Sequence, residues 1–262
     1  MSTAVNWPIF MARLSERHEV AERTMAFNFE KPAGWTYKAG QFVDITLLKP
    51  PETDAEGNTR GFSISSAPQE PTIMITTRLR DTAFKRVLRK IPLDSKVKIE
   101  GPFGNMTLHN NAARPAVFLA GGIGVTPFRS IIVNATQKKL PHRIFLFYSN
   151  RRPEDAAFLQ EFEALETQSA NFKLIATMTQ AEKSVRPWKG EVLMIDYKML
   201  DRHLKAEASP EGRSAGGPIY YIAGPPAMVR DLQTMLTNSG VDSDDIRTEE
   251  FSGYSTPRAR IP

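Results

Sequence analysis

The sequence predicts two folded parts: a small barrel or sandwich of short strands, then an α/β domain on a parallel sheet. Three features lead there. Residues 1–112 are rich in short alternating apolar runs separated by turn residues. Residues 113–262 instead alternate compact apolar runs with amphipathic stretches, as strand–helix units do. A glycine-rich turn, Gly121–Thr126, joins the first such strand to its helix.

In the first part, Thr24–Phe29 alternates, Phe42–Leu48 is strand-like and Ile73–Thr77 is β-rich. Val97–Glu100 is a further strand, expected to end at Gly101-Pro102. The segment Lys49–Thr59 carries Pro50, Pro51, Asp54, Gly57 and Asn58, so it reads as a polar loop. One short helix interrupts the strands. Asp81 or Thr82 caps it, and Ala83, Phe84, Val87 and Leu88 form its apolar stripe.

In the second part, Ala116–Ala120, Arg143–Tyr148, Phe172–Thr177 and Pro218–Ala223 are the predicted strands. Pro127–Thr136, Glu154–Leu165 and Met228–Asn238 are the predicted helices. Pro127 suits an early helical position because its missing N–H costs nothing there. Phe158, Leu159 and Phe162 supply the stripe of the second helix. Lys205–Gly217 reads as an exposed polar loop.

Composition removes several function classes. The 262 residues include no cysteine, which excludes disulfides, thiolate nucleophiles and cysteine-ligated clusters or zinc. That usage is compatible with a reducing compartment, and the cytoplasm is the expected location. No basic region followed by a long apolar run opens the chain, and no apolar stretch approaches a membrane span. The net charge of +5 suits an ordinary soluble surface and would also help attract a nucleotide phosphate or an acidic protein partner. Its densest basic cluster, Lys85, Arg86, Arg89 and Lys90, lies on an amphipathic helix, not among exposed aromatics, so nucleic-acid binding is not expected. His18, His109, His142 and His203 lack metal-ligand spacing and read as surface or packing residues, with no metal expected.

Three segments carry chemistry. Gly121-Gly122-Ile123-Gly124-Val125-Thr126-Pro127 allows close backbone approach and aims helix-start N–H groups above a strand end, which suits a pyrophosphate. By itself it serves equally as a tight βα turn. Gly224-Pro225-Pro226 repeats the pattern at a later strand, where a simple prolyl turn explains it as well. In Arg60-Gly61-Phe62-Ser63-Ile64-Ser65, an arginine for phosphate, an aromatic ring for stacking and a hydroxyl for a ring nitrogen follow in one strand. An ordinary strand with Phe62 in the core explains those residues as well.

Together, and in this order, the segments resemble the ferredoxin–NADP reductase superfamily over nearly the whole chain. The resemblance implies a flavin-binding antiparallel β-barrel domain (residues 1–112) followed by an NAD(P)-binding α/β parallel-sheet domain (residues 113–262). Arg60-Gly61-Phe62-Ser63 matches the family's Arg-x-Tyr-Ser segment. It gives Arg60 the flavin phosphate, Phe62 the isoalloxazine face and Ser63 a hydrogen bond near N5, so Phe62 and Ser63 are the candidate catalytic residues. Phenylalanine here keeps the stacking and loses the phenol hydrogen bond of the usual tyrosine. Thr76, Thr77 and Arg78 look like the strand part of the second flavin segment, with Thr82 and Ala83 at its pyrophosphate-binding helix start. The usual glycine–serine pattern is blurred there.

Gly101-Pro102-Phe103-Gly104 looks like the barrel-closing turn. The nicotinamide nucleotide falls to Gly122, Gly124, Val125 and Thr126, with Gly224, Pro225 and Met228 matching the Cys-Gly-Pro-x-x-Met segment. Ala223 stands where many members have cysteine. Arg151 and Arg152, with Thr179, Gln180 and Lys183, are the candidates near a 2′-phosphate, and their charge leans towards NADPH over NADH. In Glu250-Phe251-Ser252-Gly253-Tyr254, Phe251 or Tyr254 would cover the other flavin face.

The implied reaction takes hydride from NADPH or NADH to bound FAD, with FMN the less expected flavin. Electrons then pass to a separate acceptor: a ferredoxin, flavodoxin, oxygenase component, haem protein or small molecule. The alternative is an electron-transfer or regulatory flavoprotein subunit with little NAD(P)H oxidation of its own.

Overall fold

A computed structural model describes residues 7–206 and 217–251. The chain divides into two compact units. One comprises residues up to Leu108 together with Thr126–Asn134, and the other comprises His109–Val125 and the residues from Ala135 onward.

The first unit is a six-stranded antiparallel sheet of β1 (Ile9–Ala21), β2 (Thr24–Glu30), β3 (Phe42–Leu47), β4 (Thr59–Ser63), β5 (Thr72–Arg78) and β6 (Lys96–Phe103). The strands run in the order β4-β3-β6-β1-β2-β5. The two edge strands meet through the antiparallel Ile64–Ile75 bridge and the Ser65 N–H, which donates to the Met74 carbonyl at 2.8 Å. A sheet closed on itself leaves no unpaired edge. Alternation sets the inside: Val43, Ile45 and Leu47 of β3 are buried, and they join Phe27, Phe29, Ile73, Ile75 and Ile99 in one core. Helix α1 (Ala83–Lys90) buries Ala83, Phe84, Val87 and Leu88.

The second unit is a five-stranded sheet, parallel throughout, in the order β11-β10-β7-β8-β9. Its strands are β7 (Ala116–Gly121), β8 (Ile144–Asn150), β9 (Phe172–Met178), β10 (Ile219–Gly224) and β11 (Ile246–Glu250). Every residue of β7 and β10 is buried, as expected of central parallel strands. The helices that alternate with these strands are α2 (Thr126–Gln137), α3 (Leu159–Gln168), α4 (Tyr197–Ala206) and α5 (Pro226–Asn238). Among the described residues no helix is long and apolar enough to cross a membrane.

Several sequence expectations need correction. β6 runs through Gly101-Pro102 to Phe103 instead of stopping there. The helix expected over Glu154–Leu165 begins only at Leu159, because Phe158 sits in a left-handed conformation (φ 62°) and cannot continue a helix. Two 3₁₀ turns lead into α2 and the α3 region, at Gly122–Val125 and Pro153–Asp155. β1, α4 and β11 were not read from the sequence. The loop expected at Lys205–Gly217 lies mostly outside the described residues, and Lys205 belongs to α4.

The start of α2 belongs with the barrel for a polar reason. Ser130 Oγ donates to the Ser66 carbonyl at 2.6 Å, and Arg129 donates to the Ser65 carbonyl at 2.7 Å. The buried Arg129 guanidinium also grips both Glu70 oxygens, at 3.0 and 3.2 Å. Removing one partner of such a pair strands the other in a poorly solvated place. Arg129→Ala should therefore lower unfolding stability of this unit by about 2 kcal/mol in urea titrations. An unchanged midpoint would show that the pair adds nothing.

Candidate functional site

The first unit brings Arg60, Phe62 and the start of α1 together. Arg60 and Phe62, two apart on β4, share a face of the strand. Both reach Phe84 of α1: the Phe62 ring lies 5.7 Å from it, tilted by 36°, and the Arg60 guanidinium carbon is 5.3 Å from its centroid. Phe62 is half-buried and packs on the barrel core, whereas Ser63 is buried.

Thr82 is the N-cap of α1, accepting the Lys85 N–H. No acidic residue lies in the first turn of this helix. Its anion comes from the loop between β3 and β4. Asp54 accepts the Ala83 N–H at 3.2 Å through one carboxylate oxygen and Arg60 Nη2 at 2.7 Å through the other. Desolvation would raise the Asp54 carboxyl, but Arg60 and the N–H groups of Glu56 and Ala83 outweigh it and hold it below the usual range. Arg60 also pairs with Glu56 at 3.0 Å and donates to the Glu56, Gly57 and Thr59 carbonyls. The guanidinium and the helix start thus already converge on one negative charge.

On β5, Thr76 and Thr77 are buried, and Thr76 Oγ1 is 2.9 Å from Ser65 Oγ. Lys85 turns back so that its ammonium donates to the Arg78 carbonyl at 2.9 Å. Lys85 also lines a cavity of about 450 Å³ with Arg23, Arg80, Arg86, Arg89 and Lys90 against only Glu19 and Asp81. The basic cluster noted in the sequence is therefore one wall of a cationic hollow.

In the second unit, the turns after β7 and β10 press together. A Cβ at Gly121 would lie 2.3 Å from Met228 Sδ, and one at Gly124 would lie 2.2 Å from the Ala223 carbonyl oxygen. Only glycine permits this approach. Gly122, at φ 53°, opens the turn, and Val125 is buried; Thr126, the first residue of α2, is also buried. Pro225 precedes α5, and the Phe251 N–H donates to the Gly224 carbonyl at 2.9 Å. Ser252, Gly253 and Tyr254 lie outside the described residues. At the ends of β8 and β9, the Thr179 N–H donates to the Asn150 carbonyl at 2.9 Å, and the Gln180 N–H to the exposed Arg151's carbonyl at 2.8 Å. Arg152 is held by Asp155 at 3.0 Å.

The sequence reading did not single out Asp54's role, Arg129 or Asn150. Asn150 is buried at the carboxyl end of β8, and neither atom of its amide has a hydrogen-bond partner. An orphaned amide is rare in a folded interior, and this one lies where open parallel sheets bind ligands. His109 and His142 are packing residues: the His109 ring lies between Tyr221 Oη and the Arg114 carbonyl, at 2.9 Å from each. No group of residues able to hold a metal occurs among the described residues.

The residues present fit a flavin and a nicotinamide nucleotide. Asp54 is a stand-in anion on Arg60 and the α1 start, and the glycines let two turns close on each other at the carboxyl ends of β7 and β10, where open parallel sheets bind ligands.

The fold, an antiparallel barrel followed by a parallel α/β sheet, is that of solved FAD- and NAD(P)-binding reductases. Residues 118–234 match the model of the oxidoreductase NAD-binding domain. Among solved structures, the chain is similar to a ferredoxin NADP+ reductase from Neisseria gonorrhoeae with bound FAD and NADP, at TM-score 0.72 and 20% identity, covering 92% of this chain and 98% of that one. It is also similar to the FAD/NAD-binding domain of nitric oxide dioxygenase from Vibrio cholerae, at TM-score 0.73 and 19% identity, covering 92% of this chain and 98% of that one. Among curated proteins, the glycine betaine monooxygenase reductase subunit of Chromohalobacter salexigens is 26% identical over 87% of this chain and 60% of its own length. The reductase component of a propane 2-monooxygenase from Rhodococcus jostii is 24% identical over 85% of this chain and 57% of its own length. The chain thus spans at most 60% of these two curated relatives.

Lys85 gives a test of the electrostatics. Burial, then the charges of Arg80 and Arg60, push its ammonium down to about 8. The folded form thus holds the proton less tightly than the unfolded chain, so this lysine's cost is present at neutral pH and is relieved as pH rises above 8. A lysine 13Cε NMR titration should show one midpoint near 8 that disappears in Lys85→Met. A Lys85 midpoint at the ordinary value of about 10.4 would contradict the crowded cationic hollow.

Proposed function

We propose that the chain is a flavin-dependent NAD(P)H oxidoreductase that passes electrons to a separate acceptor. Its barrel part (1–112) would hold FAD and its α/β part (113–262) the nicotinamide nucleotide. One observation carries this reading: each unit holds a phosphate-type feature, Arg60 converging with the α1 start in one and paired glycine turns at the carboxyl ends of β7 and β10 in the other. The bound flavin would accept a hydride from the nucleotide and release electrons singly or in pairs, chemistry that side chains cannot supply.

The chain's own residues bind and orient. Arg60, Thr82 and Ala83 would take the flavin phosphates, with Thr76, Thr77 and Arg78 beside them on β5. Phe62 would stack on the flavin ring and Ser63 would hydrogen-bond near its reactive edge. Gly122, Gly124, Val125 and Thr126 would admit the nucleotide pyrophosphate to bare backbone. Gly224, Pro225 and Met228 would wall the nicotinamide end, and Phe251, whose N–H is tied to the Gly224 carbonyl, is the aromatic that would cover the other flavin face. Arg151, exposed beside Thr179 and Gln180, favours the extra phosphate of NADPH over NADH.

The acceptor reading follows the relatives. Besides the propane 2-monooxygenase component, they include the reductase component of a phenol 2-monooxygenase from a Pseudomonas strain. An oxygenase component or a ferredoxin-like carrier with an acidic surface suits the net charge of +5. The cysteine-free sequence is compatible with a cytoplasmic setting.

The test is an anaerobic visible spectrum of protein reconstituted with FAD and titrated separately with NADH and NADPH. Flavin bands that bleach rapidly with at least one nucleotide are expected, with NADPH the more effective. Bands that persist with both would replace this reading with an electron-transfer subunit served by another donor. Failure to bind FAD or FMN would overturn it.

A further inference from the structure

Arg60 and the first turn of α1 are the cationic groups through which a flavin phosphate would be held, yet both are engaged by the same carboxylate. Asp54 bridges Arg60 Nη2 at 2.7 Å and the Ala83 N–H at 3.2 Å. A local turn presents it there: the Gly57 N–H donates to the Asp54 carbonyl at 2.9 Å, and the Glu56 N–H donates to its side chain at 3.1 Å. Glu56 adds a second negative charge on Arg60 Nε at 3.0 Å, from a side chain that is 75% exposed. Two acidic groups of one hairpin loop therefore neutralise the arginine of the strand that follows it. A phosphate arriving at these donors must displace the Asp54 carboxylate or share the donors against its charge.

We infer that Asp54 is a built-in competitor for the flavin phosphate, so that it sets flavin affinity and selects for the phosphorylated cofactor's full charge. This inference rests on the flavin reading above. Asp54 satisfies Arg60 and the α1 start from within the chain, which spares the helix start a bare positive end. Loading exchanges one carboxylate for the two negative charges of a dinucleotide pyrophosphate, and the loop between β3 and β4 yields its contact. A single phosphate monoanion gains little in that exchange, whereas the paired phosphates of a dinucleotide flavin reach more donors at once. The riboflavin ring system, with no phosphate, has no stake in the competition.

Asp54→Asn removes the charge while keeping a carbonyl oxygen for the Glu56 N–H. Flavin fluorescence quenching should show it binding FAD and FMN about tenfold more tightly than the wild-type chain, with riboflavin affinity unchanged. Calorimetry with inorganic pyrophosphate should show a gain in the same direction. Asp54→Ser, also neutral and able to accept from Glu56, should reproduce both gains and guards against a folding defect in one variant. Glu56→Gln, which does not touch the helix start, should show the smaller gain. FAD binding that is equal or weaker in both Asp54 variants would overturn the inference and make Asp54 a support for Arg60. So would a gain that riboflavin shares. If no flavin binds any of these proteins, the flavin reading falls, and the pyrophosphate comparison alone decides whether Asp54 competes for anions.

Discussion

The second unit depends on the backbone approach between the ends of β7 and β10. With a methyl group at Gly121 or Gly124, the two turns would overlap Met228 and the Ala223 carbonyl at little over 2 Å. The sheet register places those turns side by side, since Ala120 pairs with Ala223. The helix that follows β10 starts at this end of the sheet, and a helix N-terminus favours an anion. A pyrophosphate is the ligand that such an end accepts most readily. The glycines therefore act twice, by letting the turns close and by leaving bare backbone.

The barrel unit solves the same problem with charge. β4 delivers Arg60 and Phe62 to one face because side chains alternate along a strand, and α1 brings its first turn against them through Phe84. The strand end itself is held by a polar latch. Ser65, Ser66 and Glu70 engage Arg129 and Ser130 from the first turns of α2. Tyr37 adds its hydroxyl to Ser66 at 2.9 Å, and burial drives that phenol's pKa upward, so it stays a neutral donor. The proposed flavin site would gain from a strand that cannot shift.

Much of this was legible in the sequence, for identifiable reasons. β3, β5, β7 and β10 carry strong periodic or continuous apolar runs, and Thr82 followed by Ala83, Phe84, Val87 and Leu88 announces a capped helix. β1 was missed because only Ala12 and Leu14 of its 13 residues are buried, so alternation is drowned by Arg13, Glu16, Arg17 and Glu19. β11 is a polar edge strand whose existence depends on β10 beside it. Phe158 reads as a helix-stripe residue because periodicity does not reveal a left-handed cap. At the candidate site, the residue types of the Arg60 and Gly121 segments were readable. The Asp54–Arg60 and Arg129–Glu70 pairs were not, because no local pattern links loop and helix residues that meet only in the fold.

The proposed reaction requires the chain to hold the nicotinamide rigidly enough to present a single face for hydride removal. The most direct measurement uses nucleotide carrying deuterium at C4 in either the R or the S position, oxidised by the FAD-loaded protein. Mass spectrometry of the oxidised nucleotide should show the label lost completely from one epimer and kept completely in the other. Partial loss from both epimers would mean that the glycine cradle does not fix the ring, and would contradict the role given to it.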